Sequence, residues 1–161
     1  MKKRVEKKSI QLKILIVCIA IMFLIAGIGS LFTVNKTDSA WYNAVKPSIT
    51  PPGWVFPIVW NILFLLMAFS LYSSWANTND KKTRNKIFSF FGINLFLNVL
   101  WSLFYFTLEN PLLALFDLIL LWASILVLIL LSWKKNRKAS LLLVPYLLWV
   151  SFASILNFLS I

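Results

Sequence analysis

The sequence predicts an all-α membrane protein, a bundle of five helices that cross a lipid bilayer. Hydrophobic residues make up 60% of the chain, charged residues make up only 13%, and the mean hydropathy is +0.83. Five apolar segments of about 20 residues can be counted, and this is the length that a helix needs to cross a hydrocarbon core about 30 Å thick. The strands of a membrane barrel would instead give alternating segments of about 10 residues.

The predicted helices are assigned from the apolar segments, which cover residues 12–34, 55–75, 87–107, 111–132 and 139–160. They form a single domain of residues 12–161, preceded by a basic segment of residues 1–11 and broken by one long loop of residues 35–54. The first run is long enough to span and no small-residue cleavage site follows it, so a retained helix is favoured over a signal peptide. Pro57 and Pro111 open their helices, whereas Pro145 should kink the last one.

Basic residues predict the orientation of the bundle. Of the 16 lysines and arginines, 14 lie at the N-terminus and in the loops after the second and fourth segments, which share one side. The enrichment of basic residues on the cytoplasmic side then places the N-terminus in the cytoplasm and the C-terminus outside. A bacterial-type inner or plasma membrane is the expected location. The net charge of +11 does not indicate nucleic-acid binding, because no soluble module presents it.

Composition also excludes several kinds of chemistry. Histidine is absent and Cys18 is the one cysteine. A disulfide within the chain, a His/Cys metal cluster and a histidine-activated nucleophile are therefore impossible. No glycine-rich phosphate-binding motif and no paired carboxylates are present. These absences argue against a conventional enzyme, and no metal ligand is assigned.

The long loop and the start of the second helix, residues 41–60, concentrate proline and aromatic residues. Four of the six prolines lie there, together with Trp41, Tyr42, Trp54, Phe56 and Trp60. Proline restricts the backbone, so this segment should hold one shape. Two interpretations remain open from composition: a rigid lid over the mouth of the bundle, or a belt of aromatic rings at the lipid headgroups.

A few polar side chains lie within the apolar segments, namely Asn61, Asn94, Asn98, Asp117 and Asn157. They should point into the bundle, because a polar group in hydrocarbon is costly. In the structural interpretation, each asparagine hydrogen-bonds to a neighbouring helix and Asp117 is a neutral buried acid. In the functional interpretation, asparagines orient a flat ligand among aromatic rings and Asp117 relays a proton or cation.

The motifs of the chain resemble those of the TspO/MBR family, the tryptophan-rich sensory and translocator proteins. The resemblance rests on WYNAVKP at 41–47, TPP at 50–52, WVFPIVW at 54–60, NVLWS at 98–102 and VPYLLWVSFASILN at 144–157. These motifs cover the chain from residue 41 to its end. The position after Pro-Ser, often aromatic in the family, is Ile49, so this sequence departs from the family pattern within the loop.

The resemblance implies a five-helix bundle, usually a homodimer, whose internal cavity binds porphyrins and is closed by the loop of residues 41–54. The porphyrin is a ligand rather than a bound cofactor. By motif position, the ligand-binding residues would be Tyr42, Pro47, Trp60, Phe64, Asn98, Trp101, Trp149 and Ala153. The C-terminal sterol motif of animal members is missing, so sterol binding by that motif is not supported.

Three functions follow as hypotheses. The first is a tetrapyrrole-binding sensor or regulator in the membrane, which needs only the cavity. The second is a light-dependent porphyrin-degrading enzyme, for which the resemblance implicates Trp60 and Trp149 as catalytic residues. The third is a small-molecule transporter, in which Asp117 is the one candidate for proton coupling.

Overall fold

The computed structural model describes the backbone of residues 2–161 and the side chains of residues 10–161. The described chain is helical without strands, and the predicted all-α membrane fold is confirmed. Five helical stretches are long and apolar enough to cross a membrane. The elements are α1 (Lys2–Leu31), α2 (Ala40–Val45), α3 (Val55–Asn77), α4 (Lys81–Ser102) with a π-helical turn (Leu103–Thr107), α5 (Pro111–Trp133), α6 (Arg137–Leu141) and α7 (Val144–Phe158). Most of the basic N-terminal segment lies outside the described side chains.

The spans pack into one bundle around an apolar core. α1 packs against α3, α4 against α5, and α5 against α7, whereas α6 joins α5 to the end of α3. The short turn between the π-helical turn and α5 makes α4 and α5 neighbours. The fully buried side chains include Met22, Met67, Phe91, Leu121 and Tyr146, one or more from each span.

The first span ends at Leu31, three residues before the predicted end at residue 34. Hydroxyl groups explain the early end. Ser30 Oγ donates to the Gly27 carbonyl at 2.7 Å, and Thr33 Oγ1 donates to the Gly29 carbonyl at 3.1 Å. Such bonds compete with the helical ladder. The chain then turns through Asn35, whose φ of 61° lies in the left-handed region that asparagine tolerates.

The fifth span is two helices, so the prediction of one helix kinked at Pro145 is wrong. α6 ends at Leu141 and α7 restarts at Val144, which puts Pro145 in the first turn of a new helix. Proline is tolerated there because its missing N–H would have no helical partner. Ser70 Oγ donates to the Ala139 carbonyl at 2.8 Å and so ties α6 to α3.

The predicted loop of residues 35–54 is called the lid from here on. It is not irregular throughout, because it contains a short helix. Residues 40–45 form α2, and Ser39 caps it by accepting the Tyr42 backbone N–H at 3.1 Å. A serine at this position satisfies one of the free N–H groups of the first turn. Two aromatic residues of the lid, Trp41 and Tyr42, therefore lie on a defined helix.

Asp80 caps α4, and we expect this cap to make stability depend on pH. Its carboxylate accepts the backbone N–H groups of Lys82 and Thr83, each at 3.1 Å. The Thr83 hydroxyl, followed by these backbone groups, holds the pKa of Asp80 below its ordinary value of 3.8. A lowered pKa means that the charged cap stabilises the fold at neutral pH and is lost as the pH falls through the lowered value.

The matched variant is Asp80→Asn, which can still cap the helix but cannot titrate. Thermal unfolding should show the wild type more stable than the variant at neutral pH, with the difference shrinking below about pH 4. A difference that stays constant across this range would contradict the prediction.

Candidate functional site

A cavity of about 1170 Å³ lies between α1, α3 and α4 beneath the lid. It is slightly larger than ordinary ligand pockets, which reach about 1,000 Å³. The lid covers it with residues that include the backbone-restricted Pro47, Pro51 and Pro52. Within the lid, Trp54 is 66% exposed and does not line the cavity, which places its ring on the surface.

Aromatic rings make up one wall of the cavity. The Trp60 ring lies 5.7 Å from the Phe64 ring and 6.4 Å from the Trp101 ring, measured between centroids. Trp101 stacks on Tyr105 at 5.9 Å, and Tyr146 supports Trp60 from behind at 6.1 Å. These spacings are those of favourable aromatic pairs, so the wall is a continuous π surface held in place by its own contacts.

The lid is fixed to this wall through the π-helical turn. Trp41 meets Tyr105 edge to face at 5.5 Å, and Tyr42 lies 5.8 Å from Phe106. The wider π-helical turn lets the consecutive residues Tyr105 and Phe106 both enter one buried cluster with Trp41 and Tyr42. Burial in this cluster, together with the neighbouring Tyr105, raises the pKa of Tyr42 above its ordinary value of 10.0. Tyr42 is therefore a neutral, packed anchor of the lid.

A buried polar relay crosses the bundle beside the cavity. Asn98 Nδ2 donates to the Tyr146 hydroxyl at 3.2 Å, and that hydroxyl donates to Asn94 Oδ1 at 3.2 Å. Asn94 Nδ2 donates to Ser124 Oγ at 2.8 Å, which in turn donates to the Leu121 carbonyl at 2.7 Å. Asn94 thus joins helices as the structural interpretation expects, whereas Asn98 both joins helices and lines the cavity.

Asn157 fixes the orientation of Trp101. Its Oδ1 accepts the Trp101 indole N–H at 3.2 Å, and its Nδ2 donates to the Pro111 carbonyl at 2.7 Å. Asn157 is 2% exposed and joins α7 to α4 and α5, again as the structural interpretation expects. Asn61 differs: it is exposed, lines the cavity and donates to the Pro57 carbonyl of its own helix at 2.8 Å.

Asp117 lies outside the cavity lining. It is 4% exposed, and no donor in the described part of the chain reaches its Oδ2. It is therefore buried in the bundle, but the structure does not connect it to the cavity.

Six of the eight ligand-binding residues expected from the family motifs line this one cavity: Tyr42, Pro47, Trp60, Phe64, Asn98 and Trp101. The other two, Trp149 and Ala153, do not line it. Trp149 packs edge to face against Phe56 at 5.8 Å, and Phe56 itself faces the cavity. Because α7 packs mainly against α5, it supports the wall from behind instead of forming it.

The wall contributed by α1 was missed from the sequence. Gly27, Gly29 and Ser30 line the cavity together with Phe23, Ala26 and Thr33. The small residues Gly27 and Gly29 near the end of the first apolar run were the available signal. The lid end of the cavity is polar, since Lys46 lines it and donates to Asn43 Oδ1 at 2.7 Å.

The fold and the cavity together define a multi-pass membrane protein with an aromatic chamber inside a bundle of five spans. The TspO/MBR family model matches residues 16–160, and the chain belongs to that family. It is 41% identical to the tryptophan-rich protein TspO of Chlorobaculum tepidum over 148 residues, covering 92% of this chain and 94% of the relative. It is 29% identical to the tryptophan-rich sensory protein of Cereibacter sphaeroides (76% and 75% covered) and to the human translocator protein (81% and 78% covered).

Proposed function

We propose that this membrane protein binds a tetrapyrrole, such as a porphyrin, in the cavity under the lid and acts as a sensory or regulatory protein. The observation that carries the proposal is the large cavity with a continuous wall formed by Trp60, Phe64 and Trp101. Flat apolar ligands bind to such surfaces by stacking and area burial with few hydrogen bonds. The name of one relative, tryptophan-rich sensory protein, agrees with a sensory role.

The mouth of the cavity suits the acidic side chains of a porphyrin. Lys46 is a cation among its lining residues, and it lies over the Tyr42 ring at 5.8 Å from the centroid. A carboxylate of the ligand could pair with Lys46 near the lid while the macrocycle stacks on the tryptophans deeper in the cavity. This two-part recognition fits an amphipathic ligand better than a wholly apolar one.

The alternative of light-dependent degradation retains one observation in its favour, because Trp60 faces the cavity as an electron-rich ring. For transport, Asp117 offers no support because it does not line the cavity. A homodimer, which the family resemblance implies, stays a prediction.

Titration with protoporphyrin IX in the dark tests the proposal. Tryptophan fluorescence of the detergent-purified protein should be quenched saturably, and Trp60→Leu should weaken binding roughly two- to tenfold through lost ring contacts. The matched control is Trp122→Leu, because Trp122 is exposed on α5 away from the cavity. Quenching that never saturates, or equal affinities in both variants, would contradict ligand binding at this site.

A further inference from the structure

We propose that the basic end of the bundle binds the headgroup of an anionic phospholipid at one corner, residues 133–138, where Arg137 stacks on Trp133. The corner joins α5 to α6 and contacts α3 near its C-terminal end, where Asn136 meets Ser73. It therefore lies roughly 25–30 Å along α3 from the lid. This site is independent of whatever occupies the cavity.

Positive charge at this end exceeds what the chain itself can neutralise. The start of α4 and the corner share one acid, Asp80, and its carboxylate caps α4. Since the net charge of the whole chain is +11, much of the counter-charge must come from outside, and anionic headgroups are present beside every membrane span. The cations of these two segments are Lys81, Lys82, Arg84, Lys86, Lys134, Lys135, Arg137 and Lys138.

Hydrogen bonds of Asn136 fix the backbone of the corner. Its Oδ1 accepts the Ala139 backbone N–H at 3.2 Å and so caps α6. Its Nδ2 donates to the Ser73 carbonyl at 3.0 Å, which ties the corner to α3. Because α6 begins at Arg137, this side chain and Lys138 extend from a fixed backbone. A fixed backbone lowers the entropy that is lost when a ligand binds.

Trp133 positions Arg137. The guanidinium carbon lies 4.6 Å from the centroid of the Trp133 ring, which is within the distance of a cation–π contact. Stacking uses the flat face of the guanidinium group, so the N–H groups along its edge can still pair with two oxygens of one phosphate. Trp133 is exposed at the end of α5, and an indole ring in such a place suits the level of the lipid headgroups.

Apolar side chains on both sides of the corner favour a lipid over a soluble anion. Leu130 precedes the corner on α5 and Leu141 follows it on α6, and both are exposed. Lys134 and Lys138 between them are exposed as well. A phospholipid offers acyl chains to the leucines and an anionic headgroup to the cations, whereas free phosphate would contact the cations alone.

Native mass spectrometry of the full chain in detergent tests the site with two lipids of identical acyl chains, phosphatidylglycerol and phosphatidylcholine. Because only the first carries a net negative charge, the wild type should bind one phosphatidylglycerol molecule roughly three- to tenfold more tightly than phosphatidylcholine. Inorganic phosphate at the same concentration should not reduce this binding. Equal affinities for the two lipids, or displacement of the lipid by inorganic phosphate, would overturn the proposal.

Three variants separate a specific site from the effect of net charge. Arg137→Gln should reduce the preference for phosphatidylglycerol to less than about twofold. The matched control, Arg84→Gln, removes the same charge from α4 at the same end and should keep most of the preference. Arg137→Lys keeps the charge without the flat fork and should fall between the two. Equal losses in Arg137→Gln and Arg84→Gln, or full preference in Arg137→Lys, would show that net charge alone attracts the lipid and would overturn the site.

Trp133→Leu tests the positioning role, because it leaves every charge in place and removes only the stacked ring. The preference should drop by roughly two- to fourfold. Trp133 and Arg137 are both exposed, so their variants should unfold close to the wild-type temperature. If Trp133→Leu does not fold, the two changes at Arg137 decide. An unchanged preference in folded Trp133→Leu would overturn the role of stacking.

Discussion

Replacement of Gly27 by leucine is expected to weaken ligand binding roughly ten- to a hundredfold while leaving the fold intact. A Cβ added at Gly27 meets no atom within 4 Å, and the residue lines the cavity wall formed by α1. The new side chain would occupy space that the ligand uses, and forcing extra methylenes into filled space costs about 1–3 kcal/mol. Porphyrin titration by tryptophan quenching measures the effect.

Gly92 offers a matched control for this experiment. It is also a helical glycine with open space at its Cβ position, but it lies on α4 outside the cavity lining. Both Gly→Leu changes should raise the free energy of unfolding by up to about 1 kcal/mol, because glycine is unfavourable within a helix. Only the change at Gly27 should reduce affinity. Equal affinities in the two variants would show that the ligand does not reach α1.

The five spans were predictable because the bilayer imposes a single requirement on them. Every backbone polar group in hydrocarbon must be satisfied within the segment, so length and hydropathy are sufficient to find the helices. Hydropathy could not show where α2 and α7 begin, because single residues determine these helix starts. Ser39 starts α2 within the lid, and Pro145 starts α7 instead of kinking a longer helix. Both residue types are known helix-start signals, but the surrounding apolar or aromatic residues obscured them.

The cavity was predictable only in part, because its residues carry unequal signals. Aromatic and asparagine side chains such as Trp60, Asn98 and Trp101 stand out in an apolar segment. Gly27 contributes space to the cavity because it has no side chain, and this role depends on how α1 packs against α3. Which face of α7 meets the ligand also depends on its packing, and the motif alone could not show that Phe56 lies between Trp149 and the cavity.

Asparagine illustrates why a residue type does not fix a role. Asn94 and Asn157 are both almost fully buried, and their side-chain amides hydrogen-bond to neighbouring helices. Asn61 bonds only within its own helix and faces the cavity. Asn98 combines the two roles, since its nitrogen donates to Tyr146 and the residue also lines the cavity. The pairing of hydrogen bonds, which requires the folded structure, separates these cases.

Light-dependent loss of porphyrin, if this protein supports it, is expected to depend on Trp60 and to be nearly independent of Trp149. Trp60 faces the cavity, so its ring would lie against the bound macrocycle and could exchange an electron with it. Trp149 lies behind Phe56, at 5.8 Å between ring centroids, and is screened from the ligand. Under illumination, Trp60→Phe should abolish the protein-dependent decay of porphyrin absorbance, whereas Trp149→Phe should keep most of it.

The Phe substitutions keep an aromatic ring at each position, so both variants should still quench saturably in the dark, and this separates binding from photochemistry. Decay at the wild-type rate in Trp60→Phe, and in a variant that carries both Trp60→Phe and Trp149→Phe, would remove the enzymatic hypothesis and leave binding alone. Loss of decay in Trp149→Phe with Trp60 intact would instead mean that the ligand displaces Phe56 and reaches α7. The pair of single variants therefore decides whether the tryptophan behind the wall takes part in the chemistry or only supports the residue that does.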